Sequence, residues 1–232
     1  MRFRRIWLVP VSLALCNQKH HTCGMKAFLH EARAAITLAL LVLSAAGGRA
    51  VGDGGVPSVP AGKAARLPFV VFSEKGSTNN HYFPSGWMGN IKAIRLDEGC
   101  RSNPHRGATC LRLEYQAAGD WGGVVWQDPE NDWGKAPGGW NLTGARKLVF
   151  WARGDKGGEL VNCFKFGILG VGNRFRDSAS GGLDAVRLTS DWKQYSINVA
   201  DKDLSCIKTG FAWIVVGQGG PVVFYLDDIR FE

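Results

Sequence analysis

Five of the nine tryptophans in this 232-residue sequence lie between positions 87 and 140, among glycine, asparagine and aspartate instead of aliphatic residues. The clearest examples are residues 131–134 (NDWG) and 138–141 (GGWN). An indole ring that the core does not require offers a flat apolar platform, and neighbouring amide or carboxylate groups supply hydrogen-bond partners. This combination favours a binding surface.

A sugar fits such a surface well, because its ring has apolar C–H faces and hydroxyl edges. We therefore predict carbohydrate contacts from Trp87, Trp133 and Trp140, with Asp132 and Asn141 as polar partners, and expect one or two of the three indoles to be exposed. The alternative is that tryptophans serve the core, which is the role we expect for Trp126, Trp151, Trp192 and Trp213.

Beyond residue 66, short apolar segments alternate with Gly, Pro, Asn and Asp, and none has a helical period over three turns. This pattern predicts an all-β fold, an antiparallel β-sandwich of about ten strands. Residues 111–116 alternate apolar with polar, whereas 148–151 and 213–216 are apolar throughout and should be central strands. The predicted strands are 67–73, 91–96, 110–116, 121–127, 147–153, 160–169, 185–189, 193–199, 211–217 and 222–231.

Two segments depart from this regular pattern. Residues 82–89 (YFPSGWMG) predict a loop with many aromatic side chains, which either covers one sandwich edge as a lid or forms a rim of the binding site. In residues 222–231, the apolar positions change parity after Leu226, so a regular strand cannot bury them all on one side. A β-bulge at residues 227–228 would restore the register.

The two carboxylates at that bulge, Asp227 and Asp228, need partners if they are buried. Calcium is one candidate, because it takes oxygen ligands and tolerates irregular backbone, and Glu74 is a possible third ligand. Alternatively, one aspartate caps a turn and the other pairs with Arg230 or a lysine. The sequence leaves these two interpretations equally open.

No catalytic centre is recognisable, and we predict that the domain is not an enzyme. The sequence has no serine-hydrolase elbow, zinc-protease motif or phosphate-binding loop. A secreted sandwich-fold glycoside hydrolase or polysaccharide lyase is the alternative, and a structural or adhesion module that binds protein is a further one. A hydrolase would need two facing carboxyl groups, drawn from Asp128, Glu130, Asp132, Glu159 and Asp184.

The first 50 residues predict a leader for export. An apolar run at 34–46 suits a signal peptide and is too short to span a bilayer. Residues 1–24 resemble a second, weaker leader, and one explanation is that the true start is Met25. Residues 51–66 predict a flexible linker and 67–232 the domain, located outside the cell, in the periplasm or on the cell surface. The leader holds seven of the 28 basic and one of the 20 acidic residues, so the remainder has a formal charge of +2. Such a charge argues against nucleic acid as a partner.

Four cysteines follow the leader, and an even number in an exported chain favours disulfides. Cys100 and Cys110 flank a polar loop, and their pairing would contribute about 3 kcal/mol to stability. For Cys163 and Cys206 we favour two buried free thiols over a bond between distant segments. No cysteine–histidine cluster indicates zinc.

Four segments together resemble the carbohydrate-binding-module-like, galactose-binding-type jelly rolls of bacterial exported proteins. They are residues 224–229 (FYLDDI), 148–154 (LVFWARG), 188–193 (LTSDWK) and 84–89 (PSGWMG), and the similarity extends over residues 67–232. The resemblance implies a jelly-roll sandwich with glycan or polysaccharide as ligand. It also implies a structural calcium at Asp228 or Asp227, but transfers no ligand-binding residue.

Overall fold

The computed structural model describes residues 59–232, which form β-strands and connecting loops with a single short 3₁₀ turn at Ile91–Ala93. None of the described residues lies in a helix that is long and apolar enough to cross a membrane. The strands are β1 (Lys63–Ala64), β2 (Phe69–Phe72), β3 (Phe83–Gly89), β4 (Ile94–Cys100), β5 (Cys110–Tyr115), β6 (Trp121–Gln127), β7 (Trp140–Asn141), β8 (Lys147–Gly154), β9 (Leu160–Phe166), β10 (Gly181–Arg187), β11 (Lys193–Asn198), β12 (Thr209–Val216) and β13 (Val222–Phe231).

Two antiparallel sheets form the sandwich, as the alternating segments predict. The five-stranded sheet has the order β10-β9-β12-β6-β3, and the other has the order β11-β8-β13-β5-β4, with β2 paired to the end of β13. β1 and β7 form a separate parallel pair. The fold class predicted from the sequence is confirmed, although the strands outnumber the ten expected.

The core lies between the sheets and is rich in aromatic side chains. Phe150 of β8 packs on Phe164 of β9 with ring centroids 4.8 Å apart, and Trp213 of β12 meets Phe224 of β13 edge-on at 5.3 Å. All four are fully buried. Burying such a ring contributes about 2–3 kcal/mol, so these contacts hold the two layers together.

The apolar strands occupy the positions that their composition predicts. β8 lies between β11 and β13, and β12 lies between β9 and β6, so both are central. In β5, Leu111, Leu113 and Tyr115 are buried, whereas Arg112 and Glu114 are half-buried on the other face. The sequence period therefore decides which side of each strand faces the core.

The predicted irregularity in the last strand is also present. Pairing of β13 with β8 shifts register between Asp227 and Arg230, and Asp228 has a φ of 47°. The shift lets Ile229 and Phe231 face the core with Leu226, and all three are fully buried. The parity change in the sequence is thus a β-bulge.

The prediction of a loop at residues 82–89 is wrong, because most of this segment is the edge strand β3. Pro84 and Gly86 suggested turns, yet an edge strand accepts a proline, whose missing N–H removes no necessary ladder bond. The side chain of Gln127 lies over Gly86, where a Cβ would be 2.8 Å from its Cδ. The glycine therefore serves packing and not a turn.

The predicted leader, residues 1–50, lies outside the described residues, as does most of the predicted linker. The described end of that linker is attached to the sandwich. Gly62 N–H donates to the carbonyl of Ser205 at 2.8 Å, and Lys63 N–H donates to Gly139 at 2.9 Å. Lys63 and Ala64 then pair with β7, so the described residues before 67 are structured.

All four cysteines of the described region are buried, and no disulfide is formed among them. Cys100 and Cys110 nevertheless occupy directly opposed positions of the antiparallel β4–β5 hairpin. They pack together with Tyr225 on the outer face of the six-stranded sheet. The disulfide between them stays a prediction, and the register is compatible with it.

We expect protein isolated without reductant to contain a Cys100–Cys110 bond. Under denaturing conditions, a thiol reagent should then titrate two of the four cysteines of residues 59–232 instead of four. Reduction should lower the free energy of unfolding by about 3 kcal/mol, through the loss of loop closure in the unfolded chain. Cys163→Ser is the matched control and should leave this reductant effect unchanged; four reactive thiols would contradict the prediction.

Candidate functional site

Exposed aromatic side chains collect along one edge of the sandwich, on and beside β3. Phe83 begins this strand with 47 % of its surface exposed, and Trp87 lies within it with 38 % exposed. Trp121, at the start of the neighbouring β6, is 42 % exposed, and Ile91 follows β3 in the 3₁₀ turn. We call Phe83, Trp87 and Trp121 the edge strip. Exposed apolar side chains clustered in this way mark an interaction surface.

The indole of Trp121 reaches across to β3 because Gly89 has no side chain. A Cβ on Gly89 would lie 2.9 Å from Cδ2 of Trp121. Gly89 also has a φ of +67°, which side chains rarely adopt, and its neighbour Asn90 donates its N–H to the carbonyl of Trp121 at 2.8 Å. The glycine thus brings the Trp121 ring against the edge strand.

Polar groups lie at both ends of the edge strip. Near Phe83, the hydroxyl of Ser85 donates to Oε1 of Gln127 at 3.0 Å and accepts the N–H of exposed Asn131 at 2.8 Å. At the other end, Oδ1 of exposed Asp120 accepts the N–H of Trp121 at 2.8 Å. Amide and carboxylate groups therefore accompany the rings, as the chemistry of a sugar site requires.

The adjoining outer face of the five-stranded sheet is apolar, with charges on the far side. The register places Met88, Gly123, Ile214, Cys163 and Asp184 in one row across the five strands. Cys163 is buried, Met88 and Ile214 are half-buried, and Asp184 is exposed. Since this row contains no aromatic residue, the rings of the sheet's outer surface are concentrated at the β3 edge.

Of the three indoles expected to contact sugar, only Trp87 lies in the edge strip. Trp140 is half-buried in β7, with its ring centroid 4.9 Å from Phe69 and 5.1 Å from His81. The ammonium of Lys63 sits 4.1 Å from the centre of the Trp140 ring. Trp133 is half-buried in the loop after β6. Trp140 is therefore engaged by Phe69, His81 and Lys63, whereas Trp133 belongs to the loop whose Asn131 donates its N–H to Ser85 of β3.

Asp132, the expected polar partner, is buried and fully engaged. Its Oδ1 accepts the N–H groups of Lys135 and Ala136, both at 3.0 Å, and its Oδ2 accepts Gly134 N–H and pairs with the buried ammonium of Lys208. Burial raises the pKa of Asp132, but these donors outweigh it and hold the pKa below its usual value. This carboxylate organises its own loop.

Asn141, the second expected polar partner, is half-buried in β7. Its Oδ1 accepts the N–H of Thr143 at 3.1 Å, which closes a short turn after the strand. Asp132 borders the edge strip only through its main chain, whose carbonyl accepts the side-chain amide of Gln127 at 2.8 Å. The polar groups beside the rings, Ser85, Asp120 and Asn131, are not distinguished from ordinary turn residues in the sequence.

Phe83 and Trp121 are the residues that sequence analysis missed. Trp121 begins a strand whose other indole, Trp126, is fully buried as expected, and the sequence analysis assigned Trp121 neither to the core nor to the binding surface. Their positions differ by five residues and point to opposite faces of β6, because side chains alternate along a strand. Trp121 follows the exposed turn 118–120, and this position at a strand end was the available signal.

The carboxylates at the bulge in β13 are engaged by the protein. Asp227 accepts the N–H groups of His105 and Arg106 at Oδ2, at 2.9 and 3.1 Å, and that of Asp228 at Oδ1, at 2.8 Å. Asp228 pairs with Arg230. These contacts are the ones that the alternative to calcium predicts.

Within residues 59–232, no group of three or more His, Cys, Asp or Glu side chains is arranged to hold a metal ion. Calcium binding by Asp227 and Asp228 stays a prediction. Burial raises the pKa of Asp227 to about 6; its backbone donors lower this pKa, and neighbouring Asp228 raises it.

Asp227 fixes the loop 101–109 over the six-stranded sheet. His105 in this loop stacks on Trp151 of β8 with ring centroids 3.7 Å apart. Arg153 of β8 lies 3.6 Å from the centre of the Tyr225 ring and donates to the carbonyl of Ser102 at 3.0 Å. The loop thus covers the second face of the central strand β8, which its apolar sequence requires.

The acidic residues considered for catalysis belong to three segments: the loop after β6, which holds Asp128, Glu130 and Asp132, the residue before β9, and β10. Asp128 pairs with Lys63 at 2.9 Å, and Asp132 pairs with Lys208. Glu159 precedes β9, where its Oε1 accepts the N–H of Lys156, whereas Asp184 is exposed on β10. Asp128 and Asp132 are therefore each paired with an ammonium group. Such a pair favours a structural role for the carboxylate over a role as general acid or base.

Comparison with known proteins gives a likeness of fold. No protein-family model matches the chain, and no curated protein matches it. Solved carbohydrate-binding modules are similar to it, as the sequence resemblance predicts. A family 30 module of a cellulosomal cellulase of Clostridium thermocellum has a TM-score of 0.46 and 17 % identity, covering 72 % of this chain and 98 % of the module.

Two further structures are similar at the same level. A family 11 carbohydrate-binding module from Clostridium thermocellum, in complex with a β-1,3-1,4-mixed-linked tetrasaccharide, has a TM-score of 0.44 and 16 % identity, covering 70 % of this chain and 93 % of the module. The glycoside hydrolase domain of Endo-D from Streptococcus pneumoniae R6 has a TM-score of 0.46 and 14 % identity, covering 63 % of this chain and 21 % of that one. These similarities assign no role to any residue here.

We expect Asp132→Ala to destabilise the protein by about 3–5 kcal/mol, because it leaves the buried ammonium of Lys208 without its partner. Urea unfolding at neutral pH measures this loss. The double variant Asp132→Leu/Lys208→Met removes both charges and should recover part of the stability. Asp184→Ala, at an exposed carboxylate, is the control and should have little effect; a similar loss there would contradict the assignment.

The raised pKa of Asp227 predicts a distinct pH dependence of stability. Between its unfolded value of 3.8 and its folded value of about 6, the folded chain binds more protons than the unfolded chain. The contribution of Asp227 to the free energy of unfolding should therefore fall as the pH rises from 4 to 6. Asp227→Asn should lose this contribution, which is measured as the difference between wild type and variant in unfolding curves at several pH values. A difference independent of pH would contradict it.

Proposed function

We propose that this domain is exported and binds carbohydrate without modifying it, through the edge strip. The observation that carries the proposal is the half-exposure of three aromatic rings on and beside the edge strand β3 of a rigid sheet, namely Phe83, Trp87 and Trp121. Sugar rings stack their C–H faces on such platforms, and the neighbouring Asp120 and Asn131 supply polar groups for hydroxyls. The absence of charge on β3 is compatible with an uncharged ligand surface.

A binding role is favoured over hydrolysis by the state of the acidic side chains. Asp128 and Asp132 are each paired with an ammonium group. Asp120, beside the edge strip, accepts the N–H of Trp121 with one of its oxygens. A glycoside hydrolase needs an acid and a base that face each other across the scissile bond. Incubation with a polysaccharide panel should therefore release no reducing ends.

A protein partner is the second candidate, favoured by one observation. The other outer strands carry charged residues, namely β4, β10 and β11, whereas β3 has none. Charges on edge strands prevent pairing with another chain, so their absence leaves β3 able to accept a further strand. Self-association that Trp121→Ala abolishes, without any glycan binding, would support this candidate instead.

We expect Trp121→Ala and Trp87→Ala each to weaken binding to a responsive polysaccharide at least tenfold, because each removes one stacking platform. Affinity electrophoresis on a panel of soluble polysaccharides, followed by calorimetry, provides the measurement. Val171→Ala is the matched control, since Val171 is 75 % exposed on the loop between β9 and β10 and should be neutral. Circular dichroism and melting curves confirm that the variants are folded.

Failure of every polysaccharide in the panel to bind the wild type would refute the proposal. Binding that survives both tryptophan substitutions would leave carbohydrate binding in place but move the site elsewhere. Half-buried Trp133 is the next platform to substitute in that case.

A further inference from the structure

The rings of the edge strip lie on opposite sides of β3. We call these sides the outer flank, on the outer face of the five-stranded sheet, and the inner flank, on the face toward the core. The register pairs Phe83 with Gln127 and, after an irregularity between Pro84 and Gly86, pairs Trp87 with Val124. Val124 belongs to the core between the sheets. Gln127 lies three positions further along β6, so its side chain points to the opposite, outer face. Paired residues of an antiparallel ladder share a face, so the irregularity turns Trp87 to the side opposite Phe83.

Trp121 joins the flank of Phe83. Trp121 of β6 pairs with Val216 of β12. It lies six positions before Gln127 in the same strand, so the two side chains point to the same face. Its indole lies over Gly89, at the far end of β3 from Phe83. Rings therefore stand at both ends of the outer flank, and Trp87 stands between them on the inner flank.

This arrangement limits the shape of a ligand that contacts all three rings. Gly89 lies six positions after Phe83, so the strip is at most roughly 20 Å long at about 3.3 Å per residue. A ligand touching both flanks must lie against the narrow edge of β3, whose outward N–H and C=O groups have no strand partner. A broad protein surface meets one flank or the other, whereas a slender chain meets both.

Resting on the proposed function, we infer that the domain recognises an internal stretch of an extended glycan chain that runs along the edge of β3. Several consecutive sugar rings are held at once, with Phe83 and Trp121 at the two ends and Trp87 in the middle. The free main-chain groups of the edge exchange hydrogen bonds with hydroxyls. A single terminal sugar does not span the strip.

An oligosaccharide series tests this inference. The polysaccharide found to bind is cut into pure oligomers from the monosaccharide upward, and each is titrated calorimetrically into wild type, Phe83→Ala, Trp121→Ala and the control Val171→Ala. Affinity should rise with length until an oligomer spans the strip. For such long oligomers, Phe83→Ala and Trp121→Ala should each cost tenfold or more. For a disaccharide, at least one of these two substitutions should have no effect.

The outcomes separate the inference from the function on which it rests. If the disaccharide binds as tightly as the polymer, or if the polymer responds to one end ring only, the inference is overturned and carbohydrate binding stands. If no glycan binds at all, both fail. Phe83→Leu and Trp121→Phe, which keep an apolar or aromatic side chain, accompany the alanine variants and show whether a loss reflects the ring or the fold.

Discussion

Aromatic packing between the sheets determines where every other side chain can point. Phe150 contacts both Phe164 and Phe211, with ring centroids 4.8 and 5.1 Å apart, and Trp213 meets Phe224 at 5.3 Å. A strand that slipped by one residue would turn such rings into water and lose about 2–3 kcal/mol for each. The register is therefore fixed through the core, and the exposed rings on β3 are placed by the same constraint.

The loops follow a different rule, because they lack the repeating hydrogen bonds of a sheet. Three buried carboxylates supply the missing acceptors, and each takes three main-chain N–H groups. Asp132 holds the loop after β6, Asp177 binds the N–H groups of Leu169, Lys208 and Thr209, and Asp227 holds the loop before β5. The donors outweigh the cost of burial for Asp132 and offset part of it for Asp177 and Asp227, whose pKa values stay raised by burial. None of the three is thereby left free to act on a ligand.

Sequence pattern predicts those features that depend on alternation alone. It locates β6 and β13 to the residue, identifies β8 and β12 as central, and anticipates the bulge at Asp227. It fails for β3, where Pro84 and Gly86 have the composition of a turn. Their conformation depends on pairing with β6 and on the Gln127 side chain, which are contacts between segments about forty residues apart.

The same limit explains why the residues of the edge strip were only partly predicted. Trp121 and Trp126 have equivalent surroundings in the sequence, but one lies over Gly89 at the edge and the other is buried against Phe211. Trp140 has the polar neighbours expected of a sugar platform, yet Phe69 and Lys63 cover it. Whether a tryptophan side chain is exposed depends on how the sheets assemble, and the composition of the neighbouring residues does not determine it.

A site on the edge of a sheet has consequences for the energy of binding. β3 is held along one side by β6, so its backbone and rings are ordered before a ligand arrives, and little conformational entropy remains to be lost. The opposite side carries no charge that would repel a second chain. An edge left in this state is a hazard for aggregation unless something covers it. A hydroxyl-rich chain lying along β3 would satisfy the outward main-chain groups and shield Phe83, Trp87 and Trp121 together.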